Sequence, residues 1–244
     1  MRPLARFLPA LLLAFAASAP AVASTVDPSL RAAQRAQALL GDSVWSRVVR
    51  IENTARSGRY PRDFHALVFE FERLLWFYTP HDGTQSFSLH RGRLDAEKAD
   101  FTALMRDIEP GFRRWRPVPP ADGPVPAATG EADLPNGCFV ESVLAFRGLH
   151  GRGAPMGRPR LLSYYGRSKS GRLAHTVLVY EAGGRTLVVD PDRPGAPDAY
   201  ARAQVSTPLA LARAHHGPEV EAARELPIEA AAAAPARSPL LAAR

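Results

Sequence analysis

Leu173-Ala174-His175-Thr176-Val177-Leu178-Val179-Tyr180-Glu181-Ala182-Gly183-Gly184-Arg185-Thr186-Leu187-Val188-Val189-Asp190 is two β-branched, apolar runs joined by a pair of glycines. Branched and aromatic side chains suit a pleated surface. A Gly-Gly pair between two such runs signals a two-residue hairpin turn, because both central residues of that turn take positive φ. The turn also sets a register. With Gly183-Gly184 at the tip, Ala182 faces Arg185, Val177 faces Asp190 and His175 faces Asp192. Side chains two apart share a face of a strand, so Asp190 and Asp192 both lie on the face of His175, Asp190 as its diagonal neighbour. A three-residue loop shifts the pairing by one and sends Asp190 to the opposite face. Pro191 has no N–H to give a ladder, which favours Asp190 over Asp192 as the partner of His175. Read blandly, His175 is a satisfied core histidine, and Asp190-Pro191-Asp192 is a turn that ends a strand.

Working upstream, Cys138 is the only cysteine of the chain, so it forms no internal disulfide. It stands in Asn136-Gly137-Cys138, ahead of a helical stretch with Phe139, Val140, Val143, Leu144 and Phe146 as its apolar positions. With Asn136 as N-cap, Cys138 falls in the first turn. Unpaired backbone N–H groups and the helix dipole stabilise negative charge there. That placement favours a thiolate, and the same N–H groups suit an oxyanion. Asn136 is also the nearest side-chain candidate for an oxyanion donor, and equally a plain cap. The alternative for Cys138 is a small apolar residue at the base of a helix.

A cysteine opening a helix, then a histidine on a strand (Ala174-His175-Thr176-Val177-Leu178), then an aspartate ending the next strand (Leu187-Val188-Val189-Asp190), resembles the papain-like superfamily in its transglutaminase-like form. The pattern is most similar to the bacterial transglutaminase-like cysteine peptidases, over about residues 134–194. The hairpin ending in Asp190-Pro191 also resembles the bacteriocin-processing peptidases of that superfamily. The resemblance implies an α+β fold, with a helix bearing the cysteine packed on an antiparallel sheet bearing the histidine and aspartate. It implies Cys138 as nucleophile, His175 as base and Asp190 as the group that orients it. The sequence departs from the pattern after the cysteine, where Phe139-Val140 stand in place of acids and Glu141 is the first carboxylate. It departs six positions before, where Ala132 replaces the papain-type glutamine, and no tryptophan follows Cys138.

Outward from this core, Pro117 to Gly130 is rich in proline, alanine and glycine and reads as a linker or surface loop. Before it, Asp27 to Arg56 has helical spacing broken at Gly41-Asp42, Ala66–Phe71 and Leu74–Tyr78 read as strands, and Gln85–His90 alternates beyond the Pro80-His81-Asp82-Gly83 turn. Asp95 to Asp107 reads as a helix. Pro159–Tyr165 adds a strand to the core. The expected organisation is a signal over 1–23, an N-terminal α/β region over 24–116, a linker over 117–133, a transglutaminase-like core over 134–200 and an alanine-rich, partly disordered tail over 201–244.

The ends and the charge bound the setting. Arg2 and Arg6 precede an apolar run, and Ala21-Val22-Ala23 is a small-x-small cleavage site. The run falls short of the roughly 20 residues a membrane span needs, so the expectation is an exported periplasmic or extracellular protein with no span after cleavage. The formal charge is +7, carried almost wholly by scattered arginine; no basic run of the nucleic-acid-tracking kind occurs, and no nucleic-acid partner is expected. His215-His216 lack a spaced third ligand, so no metal or other cofactor is expected. The sequence therefore points to a thiol hydrolase or acyltransferase working on a peptide, protein or cell-wall amide. The alternative is a non-catalytic envelope binding or scaffold protein that keeps the same core.

Overall fold

The computed structural model describes residues 27–54, 60–81, 83–86, 102, 105–106, 109, 111–119, 134–168, 171–193 and 195–229. The expected signal, most of the expected helix over 95–107, linker residues 120–133 and tail residues 230–244 lie outside them.

The first element, α1 (Pro28–Leu40), starts where the Asp27 carboxylate accepts from the Ser29 N–H at 2.8 Å and proline occupies the first turn. Its buried stripe is Ala32, Ala33, Ala36 and Leu40. The helix ends at Gly41, and the helical spacing expected to continue to Arg56 does not: Ser46–Asn53 is strand β1. Val48, Val49 and Ile51 are β-branched, and the ladder with β2 (Asp63–Phe71) buries both their faces, which a helix on a single core could not do. Next come β3 (Leu74–Thr79), β4 (Gly83–Ser86) and β5 (Phe112–Pro117), giving an antiparallel sheet of order β4-β3-β2-β1-β5.

The second half opens with α2 (Cys138–Gly151), then β6 (Gly157–Ser168), β7 (Gly171–Ala182), β8 (Arg185–Val189) and β9 (Asp198–Ala201). Structure continues past residue 200 into the stretch expected as a tail. A helix, α3 (Pro208–His215), and a strand, β10 (Val220–Pro227), follow, and β10 pairs with β6 to complete a second antiparallel sheet of order β10-β6-β7-β8-β9. The reason is apolar burial: Leu211, Ala212 and Val220 join Leu162, Tyr164, Val177, Val179 and Val188 in one cluster. The fold is α+β, with two antiparallel sheets. Among the described residues no helix is long and apolar enough to cross a membrane.

The helix that carries Cys138 lies between the sheets. Phe139, Val140, Val143 and Phe146 of α2 share a core with Leu67, Phe69, Phe71, Trp76 and Tyr78 of the first sheet and Leu161, Leu178 and Tyr180 of the second. The Phe139 ring sits 4.0 Å from that of Trp76 and edge-on to Phe71 at 6.3 Å. Losing such a ring costs about 3–5 kcal/mol. The N-terminal region is thus part of the packing that holds α2.

Candidate active site

The β7–β8 hairpin closes through Gly183 and Gly184, with φ of 55° and 75°. Glycine carries no steric penalty at either. Ala182 pairs with Arg185, and the ladder runs to Leu178 opposite Val189. The two-residue alternative is therefore the one present, and Asp190 comes one step past the last pair, on the face of His175. At Pro191 the chain leaves the sheet. The Arg193 N–H donates to the Asp190 carbonyl at 3.1 Å, and the Asp192 N–H donates to Asp190 Oδ1 at 2.9 Å. This side-chain turn fixes the carboxylate.

His175 Nε2 meets Asp190 Oδ1 at 2.8 Å, with both residues buried. The Tyr164 ring packs edge-on against the imidazole at 5.5 Å. Burial disfavours the charged ring, but the hydrogen bonds to Asp190 and Cys138 and the charges on both outweigh it, and His175 is pushed up to about 10. Burial likewise disfavours the Asp190 carboxylate, yet hydrogen bonds from His175 and His215, the charge on His175 and the Asp192 N–H hold it well below the usual carboxylate range. These two shifts are one interaction seen from its two ends.

Cys138 is the first residue of α2, with its thiol free and the residue partly exposed. The turn before it is tight: Gly137 N–H donates to the Leu134 carbonyl at 2.7 Å, and Asn136 takes φ of 57°. A Cβ on Gly137 would fall 2.3 Å from Leu134 Cβ and 2.6 Å from its carbonyl oxygen. The first sheet braces this turn. Asn136 Nδ2 donates to the Pro80 carbonyl at 2.8 Å, and the Tyr78 hydroxyl donates to the Pro135 carbonyl at 3.1 Å. From within α2, the Ser142 hydroxyl donates to the Thr176 carbonyl at 2.9 Å. That bond pins the helix to β7 beside His175, where β8 has already ended. Cys138, at the head of that helix, stands near enough to the imidazole to add to the upward shift of His175. With Nε2 taken by Asp190, Nδ1 is the nitrogen left for the thiol proton.

Of the residues singled out from sequence, His175 and Asp190 meet at 2.8 Å, and Cys138 stands at the head of α2, near enough to add to the shift of His175. Asn136 does not act as expected. The N-cap is Gly137, with no side-chain cap bond, and the Asn136 amide is committed to Pro80. Further candidates for oxyanion donors are the backbone N–H groups of the first turn of α2, unpaired within the helix. Asp192 stays on the rim, with a side chain 69 % exposed and Oδ2 3.6 Å from His175 Nδ1; Asp190 holds the other nitrogen. Glu141, one turn along α2, is pushed up by burial and by Asp192, against the pull of His175.

His215, weighed in the sequence only as a metal ligand, has a different part here. The fully buried His215 side chain sets Nε2 3.0 Å from Asp190 Oδ2 and Nδ1 3.2 Å from both Asp198 Oδ2 and the Tyr200 hydroxyl. Its only sequence signal is a polar ring at the buried end of an amphipathic helix, which does not name its partner.

Donor atoms of His175, Asp190 and Asp192 lie within 4.8 Å of one another, as a cation site requires. However, His175 and Asp190 already satisfy each other at 2.8 Å. A metal needs ligand distances of about 2.0–2.2 Å to each, which would break that bond, so the set fits a catalytic pair better than a metal.

Comparison of the chain with protein-family models, curated proteins and solved structures finds no match.

Proposed function

We propose that this protein is an exported thiol hydrolase or acyltransferase acting on amide or peptide bonds, built on a papain-like, transglutaminase-like core. The observation that carries the reading is the buried His175–Asp190 pair at 2.8 Å, with Cys138 at the start of α2 near enough to the ring to help raise it. A thiol beside a base, with the base held by a third group, is the arrangement nucleophilic catalysis needs. A charged imidazole next to a sulfur favours the anionic, nucleophilic form.

In the proposed reaction the Cys138 proton resides on His175, and Sγ attacks the carbonyl carbon of a peptide, protein or cell-wall amide. The C=O pair moves onto oxygen, where the N–H groups of the first turn of α2 receive it. Collapse expels the amine, which takes the proton from His175 and leaves a thioester on Cys138. Water or a second amine, deprotonated by His175, then attacks the thioester and frees the thiol. Cys138 is partly exposed as a residue, which suits an attack on a macromolecular substrate. Export rests on the signal pattern over residues 1–23.

The alternative, a non-catalytic envelope binding or scaffold protein, draws on the bond from Asn136 to the Pro80 carbonyl, which ties the amide to the first sheet and uses one of its two N–H donors. One experiment separates the two. Iodoacetamide alkylation of Cys138 is followed against pH in the native protein and in His175→Ala. Rapid labelling that persists below about pH 7, and is lost in His175→Ala, supports the enzyme. Labelling that rises only near pH 8–9, as for an ordinary thiol, refutes it in favour of the binding protein.

A further inference from the structure

We propose that His215 is a positioning residue for the reaction, which pins the second oxygen of Asp190 so that its first oxygen stays on His175. The inference rests on the thiol-enzyme reading above and extends that site by one member.

The carboxylate of an aspartate turns readily about its last torsion, whose well is broad. A bond to His175 alone would leave the plane of Asp190 free to rock. Here both oxygens are held: Oδ1 accepts from His175 Nε2 at 2.8 Å and from the Asp192 N–H at 2.9 Å, while Oδ2 accepts from His215 Nε2 at 3.0 Å. The Arg193 Nε stands 3.6 Å from Oδ2, and the same guanidinium reaches the His215 carbonyl at 3.5 Å.

The groups on the other side of His215 are compatible with a hydrogen on Nε2. Nδ1 faces the Tyr200 hydroxyl and Asp198 Oδ2, each at 3.2 Å. With the ring neutral, Tyr200 donates to Nδ1 and the ring hydrogen sits on Nε2. With the ring charged, both nitrogens carry hydrogen, and Nδ1–H donates to Asp198. Either way Nε2–H points at Asp190, which as a carboxylate only accepts. Asp198 and Tyr200 belong to β9 and His215 to α3, so residues from Asp198 onward finish the site that Cys138 begins.

The test is a double-mutant cycle on the rate of Cys138 alkylation by iodoacetamide at about pH 6.5, with wild type, His215→Phe, Asp190→Ala and the double variant. One buried hydrogen bond is worth about 1 kcal/mol, so His215→Phe is expected to slow labelling roughly five-fold. In the Asp190→Ala background the same change is expected to have no further effect. His215→Gln, which keeps a donor, is expected to recover most of the loss. A purely structural role predicts an equal slowing with and without Asp190, and that outcome overturns the proposal. An activated wild-type thiol that is unaffected by His215→Phe also overturns it, and leaves the thiol-enzyme reading standing. A wild-type thiol of ordinary reactivity overturns both. If His215→Phe does not fold, the ¹⁵N spectrum of the wild-type histidines decides. Hydrogen on Nε2 of His215 supports the proposal; a bare Nε2 with hydrogen on Nδ1 refutes it.

Discussion

Replacing Asp190 by asparagine removes one charge and keeps an amide oxygen for His175 Nε2–H, so it isolates the electrostatic part of the pair. Charge centres about 4 Å apart, at an effective dielectric of about 20, attract by about 4 kcal/mol. The hydrogen bond that the asparagine oxygen still accepts returns about 1 kcal/mol. The loss of about 3 kcal/mol corresponds to roughly two pH units. His175, pushed up to about 10 in the native protein, is therefore expected to titrate near pH ~8 in Asp190→Asn. The assay is the pH dependence of the imidazole Cε1–H resonances. The chain has seven histidines, and the His175 signal is the one that His175→Gln deletes. Stability follows with a defined sign. A pKa raised on folding contributes stability that is full below the unfolded value of about 6.5 and fades as pH rises through the folded value. The depressed Asp190 contributes above the ordinary carboxylate range and loses its share as the pH falls below it. The penalty of Asp190→Asn on unfolding free energy should thus be largest between about pH 4 and 8 and shrink as the pH climbs from there through about 10. A folded variant whose His175 midpoint matches wild type, or a wild type that titrates near the ordinary histidine value of about 6.5, refutes the reasoning.

Three further changes test the scaffold around the pair. Gly137→Ala drives a methyl into Leu134, so the turn must shift; an overpacking cost of about 1–3 kcal/mol and slower Cys138 alkylation are expected, measured by urea unfolding and labelling, and unchanged labelling would contradict the tight-turn account. Ser142→Ala leaves the Thr176 carbonyl without its hydroxyl partner, and urea unfolding should show a loss of about 1–3 kcal/mol, with an unchanged midpoint as the contrary result. Gly184→Ala puts a Cβ at φ 75° and should cost about 1–2 kcal/mol. Because the apolar faces still set the pairing, His175 should keep its native titration, whereas a register slip would return it to the ordinary range.

The β7–β8 hairpin was legible in the chain because its information is local. Two glycines dictate the turn, the turn dictates the register, and a period of two puts Asp190 on the face of His175 without reference to anything distant. The position of Cys138 at a helix start was legible for the same reason. Asn136 misled because asparagine suits both an N-cap and a left-handed residue; the choice fell to Pro80, more than fifty residues upstream. Val44, Val48 and Ile51 misled because their spacing fits a helix, while the pairing with β2 that makes a strand of residues 46–53 lies outside any local window.

The sequence by itself determined the residues of the candidate chemistry and their local geometry on strand and helix. The tertiary structure decided that they meet. Packing of α2 between two sheets brings its first turn to the His175 end of β7, and Ser142 ties the helix to that strand at Thr176. It also recruited His215, on a helix in a stretch whose alanines read as a tail, because burial of Leu211 and Ala212 against the second sheet carries the ring to Asp190. Local rules govern turns, caps and registers over a few residues. Contacts between distant segments follow from how apolar faces are shared, and only the assembled core expresses that.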